Sequence, residues 1–205
     1  MKILFYDVDT EDDFMNPNGA LYVKEAETLV ENISYLTKFS TTHKIRIFSS
    51  VDAHDKDSKE LTSNGGLFLD HCMKKTPGQK KIKESLQDIY TIINQKADTH
   101  YINCQVQTIF EKDHYDIFDK DSGNQNIEYY LNEFQPDRVI VYGVATDFCV
   151  LAAVKGLVKR GYKVYLLTDC IKGAFPESTE AALKEMKKIC TFITLEDING
   201  LCKDN

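Results

Sequence analysis

The sequence lacks the features that mark membrane, secreted and nucleic-acid-binding proteins. No apolar run approaches the roughly 20 residues that a membrane-spanning helix needs. The N-terminal stretch MKILFYDVDTEDDF ends in acidic residues where a signal peptide would have a small-residue cleavage site, so we expect a buried strand there. The formal net charge of −7 leaves no basic excess, which disfavours nucleic acid and anionic membranes as partners.

Paired or densely spaced cysteines are also missing. The six cysteines are scattered along the 205 residues without a Cys-x-x-Cys pair, which predicts reduced thiols in a cytoplasmic protein. We expect most of them to be small buried apolar residues. The sequence has no internal repeat and no linker rich in Pro, Gly or Ser, and its length suits a single domain over residues 1–205. The composition does not decide between a monomer and a homo-oligomer.

Short apolar segments alternate with amphipathic ones along the chain. We predict about six strands, in the segments KILFYDVD, KIRIFSSVD, YINCQVQTIFEK, DRVIVYGVA, KVYLLTDC and TFITLEDI. Helices are predicted in the segments KEAETLVENISYLTKFS, 80–96, NIEYYLNEF, 147–160 and ESTEAALKEMKKI, with loop over 55–80. Such alternation indicates a mostly parallel sheet covered on both faces. The predicted fold class is therefore α/β, a three-layer αβα sandwich.

Reactive side chains follow four of the predicted strands. In parallel sheets, ligands bind beyond the carboxyl ends of the strands. The residues found there, in chain order, are Asp7, Asp9, Asp52, His54, Lys112 and Cys149. A solvated rim would also carry charges, but a cysteine, a lysine and an Asp-x-His pair together indicate a chemical site.

Cys149 lies in the segment GVATDFCV, just after a strand and in the first turn of a predicted helix. A helix N-terminus presents free N–H groups and a positive dipole end, which stabilise a thiolate and can bind an oxyanion. A nucleophile is therefore one interpretation of Cys149. The alternative is a small buried cysteine of the core.

Asp52 and His54 are two residues apart at a strand end, so both side chains can face the same way. His71 follows in a loop that turns at 76–78. Two imidazoles and a carboxylate suit Zn²⁺, Fe²⁺ or Mn²⁺ and leave positions for water and substrate. An Asp-x-His pair alone is weak evidence for a metal, and His43, His100 and His114 fit no ligand spacing, so we expect them at the surface.

Three segments carry a resemblance to a known family. The segment GVATDFCV, continued by AAVKGLVKRGYKVYLLTDCIKGA, resembles the signature of the isochorismatase-like cysteine hydrolases. The segment VDTEDDFMNPNGALYV resembles their N-terminal Asp-x-Gln-x-Asp-Phe element, with Glu11 in place of the Gln. The segments VDAH and DHCMKKTPG resemble the metal-site segments of the nicotinamidase branch, and the matches span residues 3 to about 174.

The resemblance implies a catalytic set of Asp9, Lys112 and Cys149. The family places its catalytic Asp five residues before a Phe, a spacing that Asp9 and Phe14 have and Asp7 does not. The resemblance also implies an oxyanion hole made by the N–H groups of Ala145 and Cys149. It places a cis peptide bond before Ala145, with ordinary trans geometry as the alternative.

The resemblance further implies a divalent metal, most often zinc, on Asp52, His54 and His71. Glu60 best matches a further ligand of some members, and a solvated loop carboxylate is the alternative interpretation. Cys72 is expected to be packed beside the site. The residues expected to contact the substrate ring are Phe14, Phe68, Tyr115 and Val144. At the position of Phe68 the family often has Trp, and either Phe could instead belong to the core.

The activity implied by the resemblance is hydrolysis of a small amide. Nicotinamide, and also pyrazinamide, would be converted to the acid and ammonia through a cysteine thioester, a step of NAD salvage. The first alternative is another amidohydrolase of the same superfamily that needs no metal. The second is a non-catalytic α/β module in which Cys149 only fills the core.

Overall fold

A parallel sheet of seven strands forms the centre of the computed structural model, which describes residues 1–97 and 107–202. Within those residues the strands are β1 (Ile3–Val8), β2 (Arg46–Asp52), β3 (Tyr90–Ile93), β4 (Gln107–Lys112), β5 (Arg138–Val144), β6 (Val164–Lys172) and β7 (Thr191–Ile193). Their order across the sheet is β3-β4-β2-β1-β5-β6-β7. The predicted α/β class with a mostly parallel sheet is confirmed, with one strand more than expected.

Helices cover both faces of this sheet. They are α1 (Asp12–Met15), α2 (Val30–His43), α3 (Asn126–Phe134), α4 (Leu151–Lys159), α5 (Pro176–Met186) and α6 (Leu195–Leu201). Short 3₁₀ turns lie at Ala26–Leu29, Thr62–Asn64 and Lys83–Ser85, and a π-helical turn at Thr146–Val150 precedes α4. None of the helices in the described ranges is long and apolar enough to cross a membrane.

The side chains of β1 show how the two layers are filled. Ile3 and Phe5 belong to a core cluster with residues of α2 and α6, whereas Leu4, Tyr6 and Val8 belong to a second cluster with residues of α3, α4 and α5. Successive side chains of a strand point to opposite faces, so an all-apolar strand needs a layer on each side. The predicted three-layer arrangement follows from this burial.

The prediction of a helix over 80–96 is wrong. The described chain has one 3₁₀ turn there, Lys83–Ser85, followed by the edge strand β3. The helical interpretation rested on the Lys, Glu and Gln content of the segment. The β-branched run Thr91, Ile92 and Ile93 favours a strand instead, and it pairs in parallel with β4. The strand predicted over 101–112 begins at Gln107 in the structure, and its residues before 107 lie outside the described ranges.

The register of the central strands brings their carboxyl ends to one edge. Asp52 of β2 lies directly opposite Lys112 of β4, and Val8 of β1 lies opposite Gly143 of β5. Gly143 has φ +119°, and a Cβ there would meet the carbonyl oxygen of Val8 at 2.0 Å. Only glycine therefore allows β5 to approach β1 so closely where the chain turns toward Cys149.

Candidate active site

Three residues from separate elements meet at this edge of the sheet. Asp9 follows β1, Lys112 ends β4, and Cys149 lies in the π-helical turn after β5; all three side chains are buried. The ammonium nitrogen of Lys112 lies 2.8 Å from Oδ2 of Asp9 and 3.9 Å from Sγ of Cys149. Ser50 donates a 2.6 Å hydrogen bond to Oδ1 of Asp9 and so fixes the carboxylate. The structure thus brings together the three residues that the family resemblance implies as the catalytic set.

The cysteine is not held as a preformed thiolate. Burial raises the pKa of Cys149 well above its usual value, and the nearby charge of Asp9 raises it further, with Lys112 opposing both. This differs from the expectation that a helix start would favour the anion. The sulfur faces the carboxylates of Asp9 and Asp52 as well as the ammonium, so it remains a thiol until a base accepts its proton.

Lys112 joins the acid of this set to a second carboxylate. Its ammonium also forms a short contact with Oδ1 of Asp52. Burial alone would lower the pKa of Lys112, but the charges of Asp52 and Asp9 hold it well above the usual range. Burial would likewise raise the pKa of Asp52, but Lys112 and the two neighbouring histidines hold it well below. One buried cation therefore contacts two buried carboxylates and lowers the pKa of Asp52.

Asp52, His54 and His71 form a candidate metal centre in which one ligand atom of each lies within 4.8 Å of the others. Nε2 of His71 and Nε2 of His54 lie 3.7 and 3.9 Å from the same oxygen of Asp52. The other ring nitrogens are already held: Nδ1 of His54 lies 2.6 Å from Oδ1 of Asp113, and Nδ1 of His71 lies 2.7 Å from the carbonyl oxygen of Leu69.

The donor atoms of this cluster fit a divalent metal. Nε2 of His54 is buried and has no hydrogen-bond partner, which is the position that a metal ligand takes before the ion is bound. Without an ion, burial opposes protonation of His54, but its hydrogen bond with Asp113 and the nearby charge of Asp52 prevail and raise its pKa to about 9. Two imidazoles and one carboxylate are a donor set of the type that binds Zn²⁺ or Fe²⁺.

Glu60 is buried beside this cluster and is not a solvated loop carboxylate. Its Oε2 lies 3.9 Å from Nε2 of His54, and its Oε1 accepts a 2.7 Å hydrogen bond from the backbone N–H of Tyr115. His114, expected at the surface, is partly buried, with Nε2 3.8 Å from Oε1 of Glu60. Asp55, another carboxylate of the same loop, instead pairs with Lys74 at the surface.

A cavity of about 170 Å³ opens above Cys149 and the candidate metal centre. Its lining includes the aromatic side chains of Phe14, Phe68, Tyr115, Phe148 and Phe175. The first three were expected from the sequence, whereas Phe148 and Phe175 were not. Val144, expected to contact the ring, is fully buried in the core and is not among the residues that line the cavity. Ala145 does line it, and the peptide bond before Ala145 is cis, as the resemblance implied.

Two carboxylates at the site, one partly exposed and one buried, have no role assigned from the sequence. Asp113 fixes the ring of His54, and its only signal was its place directly after Lys112. Glu11 is fully buried with neither carboxylate oxygen hydrogen-bonded. Burial raises its pKa well above the usual value, and the charges of Asp9 and Asp52 raise it further.

Comparisons with known proteins agree with this architecture. A family model described as the isochorismatase domain matches residues 3–197. The chain is 26% identical to a nicotinamidase of Escherichia coli, over 93% of each chain, and 26% identical to a nicotinamidase of Saccharomyces cerevisiae, over 82% of this chain and 87% of the relative. It also superposes on the pyrazinamidase of Pyrococcus horikoshii in complex with zinc, with a TM-score of 0.77, 26% identity and coverage of 95% and 100%.

Proposed function

The chain belongs to the isochorismatase family, and we propose that it is a metal-dependent nicotinamidase, which hydrolyses nicotinamide to nicotinic acid and ammonia. The observation that carries this proposal is the contact of one buried lysine with both Asp9 and Asp52, which joins an acid–cysteine pair to a metal-type cluster under one cavity. The relatives that are nicotinamidases support the same substrate. The family match over residues 3–197 supports one domain for the chain.

We propose that Asp52, His54 and His71 hold the metal, with Glu60 as a further ligand. A divalent ion held there would supply a Lewis acid, for which a pyridine nitrogen would be a suitable donor. The zinc in the related pyrazinamidase supports this assignment, although Fe²⁺ and Mn²⁺ suit the same donors. Asp113 and the carbonyl group of Leu69 orient the two imidazoles, as outer partners of metal ligands do.

The reaction begins with proton transfer from Cys149 to Asp9. The sulfur then attacks the carboxamide carbon, and the N–H groups of Ala145 and Cys149 donate hydrogen bonds to the oxyanion. Asp9 returns the proton to the departing ammonia and leaves a thioester. Water attacks this thioester with Asp9 again as the base, which releases the acid and restores the thiol. Lys112, 2.8 Å from Asp9, provides this buried carboxylate with a counter-charge.

The aromatic walls favour a small planar amide. Phe14, Phe68 and Tyr115 present ring faces or edges to a cavity of about 170 Å³. Pyrazinamide shares the amide and a ring nitrogen with nicotinamide, so it is a second expected substrate. Nicotinic acid formed in this way would be reused for NAD synthesis, and we propose this salvage role in the cytoplasm.

The test is ammonia release from nicotinamide by the purified protein. We expect steady release by the wild type and none by Cys149→Ala, whereas Cys190→Ala, a substitution remote from the cavity, keeps the wild-type rate. Full activity after metal removal, with no metal found by elemental analysis, would favour a metal-free amidohydrolase of the same family. No turnover of any small amide by the wild type would leave the non-catalytic module as the better interpretation.

A further inference from the structure

Asp147 stands two residues before Cys149 and takes no part in the reaction proposed above. Its side chain is almost fully buried and forms its hydrogen bonds at the start of α5. Oδ1 accepts a 2.8 Å hydrogen bond from the N–H of Ala174, and Oδ2 accepts one of 3.1 Å from the N–H of Phe175. The hydroxyl group of Ser178 donates a further hydrogen bond to Oδ2. One carboxylate thus receives three donors from a single short segment.

The start of α5 has no capping side chain of its own. Helix α5 begins at Pro176, and the residue before it, Phe175, has no side-chain oxygen that could cap the helix. The first N–H groups of a helix have no partner within the helix, and the helix dipole favours an anion there. Asp147 supplies this anion from the turn that carries the nucleophile, and the two N–H groups that it binds, those of Ala174 and Phe175, come just before the helix.

The same segment forms the outer wall of the cavity. Ala174 and Phe175 both line it, and the ring of Phe175 packs edge-on against Phe148 with centroids 6.2 Å apart. The side chain of Phe175 is nevertheless 60% exposed, so core packing does not fix its position. The hydrogen bond from its own N–H to Asp147 is the firmer constraint.

We propose that Asp147 is a positioning residue that holds Phe175 as one wall of the substrate cavity and thereby sets the affinity for the substrate rather than the chemical rate. This inference rests on the proposed function, because it assigns the wall to nicotinamide binding. Asp147 itself touches neither the substrate nor the reacting atoms.

Steady-state kinetics test the inference. We expect Asp147→Asn to raise KM for nicotinamide about tenfold with kcat within about twofold, because the amide keeps only one acceptor oxygen for three donors. Phe175→Ala should raise KM similarly, and the double variant should be no worse than Phe175→Ala alone, since the two changes remove one interaction. Additive effects, or a loss confined to kcat, would overturn the inference.

A second measurement does not depend on nicotinamide hydrolysis. We expect Asp147→Asn and Phe175→Ala to speed alkylation of Cys149 by a bulky maleimide more than by iodoacetamide, as followed by peptide mass spectrometry. An unchanged ratio of the two alkylation rates would refute the proposal that Asp147 holds Phe175 as a wall of the cavity, even if the enzyme is active. A wild type that releases no ammonia would refute the proposed function, while the alkylation ratio would still decide the role of Asp147.

Two further variants guard against a folding defect. Ser178→Ala removes one donor to Asp147 and keeps the carboxylate, so KM should rise about threefold or less. Glu180→Gln changes an exposed residue of the same helix and should leave both KM and the alkylation ratio at wild-type values. If Asp147→Asn does not fold, Ser178→Ala and Phe175→Ala decide the question, and unchanged KM in both would overturn the inference.

Discussion

The ammonium nitrogen of Lys112 lies 2.8 Å from Oδ2 of Asp9, in a position where neither side chain reaches solvent. The same nitrogen contacts Asp52, so removal of this one cation would leave two buried carboxylates without their counter-charge. Breaking a buried ion pair from one side costs about 3–5 kcal/mol in folding free energy, because the remaining charge has no partner. The pair therefore links the stability of the fold to its chemistry.

We predict that Lys112→Met lowers both stability and turnover. The loss in kcat should be at least on the order of 10²–10³-fold, the effect of removing a preorganised charge from an active site. Thermal unfolding and ammonia release measure the two effects. Lys155→Met is the control, because its ion pair with Glu185 is about half exposed and should contribute at most about 1 kcal/mol. Near wild-type turnover in Lys112→Met would contradict this role.

Asp9→Asn should separate thiol reactivity from catalysis. The carboxylate of Asp9 raises the pKa of Cys149, so its removal should lower that pKa and increase the thiolate fraction at a given pH. Hydrolysis should nevertheless stop, because the amide of asparagine cannot accept and return the proton. We therefore expect faster alkylation of Cys149 at pH 8 together with no ammonia release. Slower alkylation in the variant would show that Asp9 does not act on the sulfur through its charge.

Metal affinity should depend on pH through His54. Its pKa is raised to about 9 in the metal-free protein, so the ring carries a proton at neutral pH that an incoming ion must displace. The apparent affinity should rise about tenfold per pH unit and level off near pH 9. Competition with a chelator of known affinity, between pH 6 and pH 10, measures this slope. A flat profile would show that His54 is not a ligand.

Asp113→Asn tests the outer partner of the same ring. The hydrogen bond from His54 to Asp113 orients the imidazole and raises the pKa of His54. The apparent metal affinity of the variant should therefore level off at a lower pH than that of the wild type. Loss of such a partner lowers metal affinity by about 10–100-fold. Asp55→Asn, a loop carboxylate that pairs with Lys74 at the surface, should keep the wild-type affinity and profile. Equal affinities in the two variants would contradict the assignment of Asp113.

The strand ends were predictable because parallel strands deliver their carboxyl ends to one edge. Asp9, Asp52 and Lys112 each follow or end a short apolar segment, and this local pattern was enough to place them together. Asp113, Phe148 and Phe175 gave no comparable signal. Their roles depend on contacts between residues far apart in the chain, such as Asp113 with His54, which periodicity does not encode.

Two predictions made from local sequence features differ from the structure. The start of a helix suggested a stabilised thiolate, but burial and the charges of Asp9 and Asp52 raise the pKa of Cys149. The charged composition of residues 80–96 suggested a helix, but pairing with β4 draws its β-branched end into the sheet. At Cys149 the deciding contribution is tertiary and a single sequence does not contain it, whereas the β-branched run Thr91, Ile92 and Ile93 was itself a local signal for a strand.

Glu11 provides a test of buried charge at a residue outside the proposed metal ligands. Its carboxyl group is fully buried without a hydrogen bond, and its pKa is raised well above the usual value by burial and by the charges of Asp9 and Asp52. In the unfolded chain a glutamate ionises near pH 4.3. Above that pH the unfolded chain releases a proton that folded Glu11 keeps. The free energy of unfolding therefore falls by about 1.4 kcal/mol per pH unit until the raised pKa of Glu11 is reached.

We therefore predict that Glu11→Gln stabilises the protein increasingly as pH rises. The neutral amide replaces a neutral acid of the same shape, so the melting temperatures of variant and wild type should agree near pH 4 and diverge toward pH 8. Glu31→Gln, at an exposed position of α2, should show no such divergence. A difference between Glu11→Gln and wild type that does not change with pH would mean that Glu11 is ionised in the fold.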